Sequence, residues 1–315
     1  MSAFLDNLLL AFPLFALVLL GWCLARWSGW GDDMARTLLR FVFSIGLPAL
    51  LFRLMAGLSK LPPVDGRLLA AYFGSVFVVF ALARLAAWKG FGLDGEAQSV
   101  FALGGVFPNN VMLGIPLARV LLGDAALPGV ALVLVFNSLT LWTLVTVSVE
   151  WSRHGAVSPA GFAKVVKSVL TNPLVAAILL GSLFGTTRLD LPRPLDATLA
   201  MIGEAAAPLS LIALGMGIVE YGLREALGQS LAIAGFKLLA QPLVALGIAL
   251  ATGLGEMETA VAVLMTSLAT GSNVYLMAQQ FGRMQGAVAG AIVLGTALGA
   301  ITTPLAITLV RLAQG

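Results

Sequence analysis

Between Gly104 and Pro116 the chain reads Gly104-Gly105-Val106-Phe107-Pro108-Asn109-Asn110-Val111-Met112-Leu113-Gly114-Ile115-Pro116, within a stretch otherwise apolar enough to sit in lipid. Two prolines flanked by glycines cannot form an undisturbed helix, because each proline lacks an amide donor and crowds the turn before it. Unpaired backbone groups at membrane depth are tolerated only where protein or a watery cavity satisfies them. The spacing therefore predicts a broken helix, shaped by Pro108, Gly114 and Pro116, whose second half begins near Asn110. Amides at such a new N-terminus carry the positive end of the helix dipole and suit an anion. Asn109 and Asn110 add uncharged side-chain donors, which can hold a carboxylate without preventing its release.

A second weak point reads Thr266-Ser267-Leu268-Ala269-Thr270-Gly271-Ser272-Asn273-Val274-Tyr275. Here Thr270, Gly271 and Ser272 stand where the first stretch has prolines. If both helices break at equal depth, their half-helix ends converge, and Asn110 and Asn273 become donors to one anion. The alternative is that these asparagines only hold helices together.

Ionisable residues in apolar segments are costly and therefore functional candidates. Arg53 follows Pro48 by five residues; it either snorkels at a span end or attracts anions. Lys237 lies deeper, with Gln241 one helical turn on and on the same face. A backbone carbonyl, Glu204 and the substrate are all open as its partner. Glu204, four residues before Pro208, is the candidate to carry a coupling proton, a task that membrane carboxyl groups perform. Asn137 has either a cavity role or a packing one.

Catalytic readings find little support. The sole histidine, His154, lies far in sequence from any apolar-segment serine, and no HExxH or cysteine–histidine spacing offers a metal site. No cofactor is expected. No P-loop is present, so this chain alone does not pump at the expense of ATP. The charge of +3 comes without any basic run, so nucleic acid is not an expected partner.

The elements that must position these residues follow from composition. Hydrophobic residues make up 59% of the chain and charged ones 10%, against about 25% charged in soluble domains. Lipid must therefore solvate most of the surface. Apolar segments fall near 7–25, 38–58, 68–88, 97–122, 127–149, 170–186, 197–219, 229–253, 258–281 and 286–311, each close to the ~20 residues a spanning helix needs. The first is too long for a cleaved signal and has Asp6 in place of a basic start, so it reads as a span.

A polar connector, 151–169, separates a first half, 1–150, from a second, 170–315. Pro13-Leu14-Phe15-Ala16-Leu17-Val18-Leu19-Leu20-Gly21 returns as Pro173-Leu174-Val175-Ala176-Ala177-Ile178-Leu179-Leu180-Gly181, and Pro48 returns as Pro208. Asn110-Val111-Met112-Leu113 is echoed by Asn273-Val274-Tyr275-Leu276. Five spans per half put the second copy in the opposite sense, an inverted repeat common in secondary transporters. With both termini outside the cell membrane, Arg26, Arg36, Arg40, Arg84, Lys89, Arg153, Lys164, Lys167, Arg224 and Arg283 face the cytoplasm. The outer face receives the smaller set Lys60, Arg67, Arg119, Arg188, Arg193 and Arg311, as the positive-inside rule asks. The fold class expected is all-α integral membrane, with ten transmembrane helices in two inverted five-helix repeats.

The run Phe107-Pro108-Asn109-Asn110-Val111-Met112-Leu113-Gly114-Ile115-Pro116-Leu117 resembles the fourth-helix motif of the auxin efflux carrier family. So do Asn172-Pro173, the run Pro208-Leu209-Ser210-Leu211-Ile212-Ala213-Leu214-Gly215, and Lys237 with Pro242. The resemblance covers nearly the whole chain. It implies ten helices in two inverted repeats, like the related bile-acid sodium symporters, with helices four and nine broken and crossing at the substrate site. Asn110 and Asn273 would then flank a carboxylate. The family often has proline in the ninth-helix break, where Thr270-Gly271-Ser272 stands here. The expected function is alternating-access, elevator-like transport of small organic anions such as malonate, malate or auxin-like acids. A homodimer is implied on the same grounds. The rival is a channel or sensor that binds a small anion without coupled turnover.

Overall fold

The computed structural model describes residues 2–28, 30, 32–57, 64–154, 173–219 and 226–314. Every regular element among them is helical, and no β-strand is present among them. The chain runs through α1 (Ser2–Trp27), α2 (Asp32–Phe41), α3 (Leu47–Ala56), α4 (Arg67–Phe91), α5 (Gly95–Gly104), α6 (Ile115–Leu122) and α7 (Leu127–His154). It resumes with α8 (Pro173–Thr186), α9 (Arg193–Ile218), α10 (Leu227–Gly235), α11 (Gln241–Ala251), α12 (Glu256–Ser267), α13 (Ser272–Phe281) and α14 (Gln285–Gln314). The helices follow the apolar segments read from sequence, usually extending them by a few residues. The connector expected at 151–169 is helical through His154; from 155 onward it lies outside the described residues, as do Lys60, Lys164, Lys167, Asn172 and Arg224.

Three prolines mark a shared local device. Pro48, Pro116 and Pro242 each occupy the second residue of a helix that directly follows a five-residue π turn: Val42–Gly46 before α3, Asn110–Gly114 before α6, and Phe236–Ala240 before α11. Proline cannot bond the carbonyl four residues back, and its ring presses on it. The wider π turn accommodates the ring without ending the helix.

Six helical runs are long and apolar enough to cross a membrane: Phe4–Trp27, Asp33–Ala56, Arg67–Phe91, Arg193–Gly217, Leu227–Ala251 and Gln285–Gln314. Shorter apolar helices accompany them, including Asn110–Leu122 and Pro173–Thr186. Large apolar side chains such as Phe12, Leu19, Leu183, Ile301 and Leu312 are exposed on the outside, where lipid is their natural solvent. The protein is a multi-pass membrane protein.

Helices approach closely where glycine removes the side chain, the usual basis of helix packing in lipid. On α1, a Cβ at Gly21 would stand 2.0 Å from the Ile212 carbonyl of α9. On α8, a Cβ at Gly181 would stand 2.6 Å from the Phe52 carbonyl of α3. These contacts are counterparts: Gly21 and Gly181, and likewise Phe52 and Ile212, are 160 residues apart. Gly46 faces Ala206, a pair with that same separation.

Candidate functional site

The helix that begins as α5 stops at Gly104 and resumes in the π turn Asn110–Gly114. The helix that begins as α12 stops at Ser267 and resumes at Ser272 as α13. Both expected breaks are present, the second without any proline. The interrupted stretches lie against each other as an isolated antiparallel bridge between Pro108 and Thr270. Asn109 N donates to the Ala269 carbonyl at 2.8 Å, and Gly271 N donates to the Phe107 carbonyl at 2.9 Å. Each break thus satisfies backbone groups freed by the other, as a low-dielectric setting requires. Pro108 fits at the centre because neither bond uses its nitrogen.

Gly271 has no room for a side chain, since a Cβ would sit 2.9 Å from the Pro108 carbonyl oxygen. Gly114 packs against Leu268 of the other break and Met265 of α12. Thr270 Oγ1 donates to the Gly104 carbonyl at 2.9 Å, satisfying a carbonyl in the last turn of α5.

The side chains of the first break are buried. Asn109 Oδ1 accepts weakly from Met112 N at 3.4 Å, capping the resumed helix. Its Nδ2 is buried and has no hydrogen-bond partner among the described residues. Asn110 Nδ2 donates to the Tyr72 hydroxyl at 2.9 Å, and that hydroxyl donates to Asn137 Oδ1 at 2.7 Å. The side-chain oxygen of Asn110, Oδ1, is buried and without a partner among the described residues. Asn110 is therefore a wired residue with one bond from its amide nitrogen already made, whereas the amide nitrogen of Asn109 makes none among the described residues. Asn137 supports Asn110 through Tyr72. From α9, Ser210 Oγ reaches the Met112 carbonyl at 3.3 Å.

In the second break Gly271 is buried, Ser272 half-buried and Asn273 exposed. The two asparagines expected to share an anion differ in setting: Asn110 is enclosed, while Asn273 is exposed.

Lys237 is fully buried in the π turn before α11. Its Nζ donates to Gln241 Oε1 at 2.6 Å and to the Thr266 carbonyl near the end of α12. Gln241 Nε2 donates to the Val106 carbonyl at 3.1 Å, just past α5. Of the partners left open by the sequence, a carbonyl is the one found. Glu204 is exposed on α9 and takes no part in this network.

Arg53 stands in the last turn of α3. It grips Asp196 of α9 with two bonds, Nε to Oδ1 at 2.7 Å and Nη2 to Oδ2 at 3.1 Å, and both side chains are more than a third exposed. The pair borders a cavity of about 580 Å³ that also includes Leu189, Asp190 and Arg193.

Sequence reasoning missed Tyr72, Ser210 and Asp196. Tyr72 carried a signal, since a tyrosine deep in an apolar run needs a partner for its hydroxyl. Asp196 and Ser210 matter through contacts that no local pattern announces.

A family model described as membrane transport protein matches residues 9–307. The chain is 26% identical over 287 residues to a protein of Rhizobium meliloti (strain 1021) named "Putative malonate transporter", covering 90% of this chain and 89% of that one. It is also 26% identical over 260 residues to an uncharacterized transporter of Methanothermobacter thermautotrophicus, covering 80% and 81% respectively.

Proposed function

The chain belongs to the membrane transport protein family, and from that premise we propose that it is a secondary carrier of small organic anions working by alternating access. Malonate and related mono- and dicarboxylates are the substrates of choice, in keeping with the named malonate relative. The observation that carries this reading is the paired break. Two interrupted helices meet back to back, and the half-helices that resume at Asn110 and Ser272 present the positive ends of their dipoles. Asn109 Nδ2 supplies an unspent donor beside them. Carriers of this construction hold an anionic group at such ends.

The reciprocal contacts support an inverted repeat of two five-helix units. The Gly21–Ile212 and Gly181–Phe52 contacts exchange under one offset of 160. The two bridge bonds exchange under an offset of 162, which relates Asn109 to Gly271 and Phe107 to Ala269. We assign α1, α2–α3, α8 and α9 to a scaffold that also mediates a homodimer, and the remaining helices to a moving core. Elevator-like travel of that core in the cell membrane, with both termini outside, would expose the crossing to each side in turn.

Counterflow in proteoliposomes tests the reading. Vesicles loaded with unlabelled malonate, malate or a monocarboxylate are offered labelled malonate. Saturable, acid-specific accumulation is expected. Conductance far above carrier rates would point to a channel, and binding without exchange would point to a sensor.

A further inference from the structure

Three arginines among the described residues are half-buried: Arg53, Arg84 and Arg119. Arg53 is paired with Asp196 and Arg119 with Asp124. Arg84, on α4, makes no ion pair among the described residues. Its Nη1 donates to Ser148 Oγ of α7 at 2.6 Å, and its Nη2 donates weakly to Gln98 Oε1 of α5 at 3.4 Å. Both acceptors are fixed from behind. Ser148 Oγ lies 2.8 Å from Ser99 Oγ, which bonds the Gly95 carbonyl, and Gln98 Nε2 donates to the Leu93 carbonyl at 2.7 Å. The carboxylates at the start of α5, Asp94 and Glu96, lie instead against Arg283.

A guanidinium offers five N–H donors and a full charge. Two neutral oxygens occupy some of the donors and answer none of the charge, which is costly in an apolar segment unless an anion meets it. The position says which anion. Arg84 stands seven residues before the end of α4 at Phe91, about 10 Å along the axis and within snorkelling reach of lipid headgroups. Trp88, one turn nearer that end, and Trp151 on α7 are exposed, as aromatic residues at a membrane interface are. Lys89 Nζ lies 5.7 Å from the centre of the Trp88 ring, which adds a second cation at headgroup level. α4 packs chiefly on α5, α11 and α12, all helices of the core assigned above, and Leu82 and Leu85 beside Arg84 are exposed. The guanidinium therefore borders lipid, away from the face that meets the scaffold.

We infer that Arg84 anchors a bound anionic lipid, its guanidinium gripping the lipid phosphate beside the α4–α7 groove, with Trp88 and Lys89 at the headgroup. Arginine suits the task because its planar fork meets two phosphate oxygens at once, where lysine supplies a point charge. In the orientation proposed above, the site lies in the cytoplasmic leaflet, which carries anionic lipid. The inference holds whether the chain is a carrier or a channel.

The test is thermal unfolding of the purified full-length protein in detergent, with phosphatidylglycerol, phosphatidylcholine, inorganic phosphate or malonate added at equal ionic strength. Phosphatidylglycerol is expected to raise the unfolding temperature of wild type about 2–3 °C above the phosphatidylcholine value, the scale of a ligand-linked shift. Arg84→Gln should lose that increment. Arg36→Gln, which removes the same charge from an exposed position on α2, should keep it. Equal stabilisation of wild type by the two lipids, or a full increment in Arg84→Gln, would overturn the inference. A shift by inorganic phosphate or malonate that Arg84→Gln abolishes would also overturn it, because the site would then take a soluble anion. Should Arg84→Gln not fold, Arg84→Lys decides: it keeps the charge and loses the fork, so a reduced increment is expected and an undiminished one contradicts the proposal.

Discussion

In the first break, two asparagines are buried, and Asn110 is wired through Tyr72 to Asn137. In the second, Thr270 turns back to seal the end of α5, Gly271 yields its side chain to the passing backbone, and Asn273 faces outward. The backbones nevertheless match, since each break lends the other one amide and one carbonyl. Backbone exchange symmetry is therefore compatible with unequal chemistry. A crossing needs only that freed backbone groups find each other, so the side chains around it are released to specialise. One side is a fixed, enclosed donor surface; the other is an open face. Lys237 and Gln241, both from the second half, reach the Thr266 and Val106 carbonyls respectively, which deepens the inequality.

The comparison can be broken most severely at Gly271. Gly271→Ala forces a Cβ against the Pro108 carbonyl, a backbone atom that cannot swing aside. We expect transport to be lost and stability to fall by about 1–3 kcal/mol, the range for overpacking. Gly235→Ala, whose Cβ meets nothing within 4 Å, should be harmless in the same thermal assay. Next comes Tyr72→Phe, which leaves Asn137 Oδ1 and Asn110 Nδ2 buried without their hydroxyl partner. The cost expected is about 1–3 kcal/mol, with a raised KM for malonate as Asn110 loses its fixed orientation. Thr270→Val removes one bond, to Gly104, and should cost about 1 kcal/mol, read as a lowered unfolding temperature. The smallest effect on stability belongs to Asn273→Ala, within about 0.5 kcal/mol as for other exposed sites. If its KM rises while its stability does not, the open face takes part in binding; unchanged kinetics would confine recognition to the first break.

Much of this architecture could be read from the residues. Pro108 and Pro116 around Asn109-Asn110 announced the first break because proline removes donors at fixed positions. Thr270-Gly271-Ser272 announced the second more faintly, since poor helix formers weaken a helix without forbidding it. The echo of Pro13 to Gly21 in Pro173 to Gly181 pointed to related elements, and Gly21 and Gly181 both prove to be close-contact glycines, against Ile212 and Phe52 respectively. What escaped the sequence were relations between distant residues. The exposure of Glu204 and Asn273 depends on which helix face the neighbours cover, and the grip of Arg53 on Asp196 spans 143 residues. Asn110 was read as a donor from its place at the break; one bond from its nitrogen proves to go to a tyrosine 38 residues earlier.

The central claim, that the enclosed first break recognises the carboxylate, is tested most directly by labelled-malonate counterflow with Asn109→Ala beside wild type. Asn109 Nδ2 is a buried donor of that break without a partner among the described residues, so its removal should raise the KM about tenfold, equivalent to about 1.4 kcal/mol, while stability falls only by the loss of one weak helix cap, about 0.5–1 kcal/mol. A folded Asn109→Ala that exchanges malonate with wild-type KM would contradict the account and move recognition away from the crossing's enclosed side.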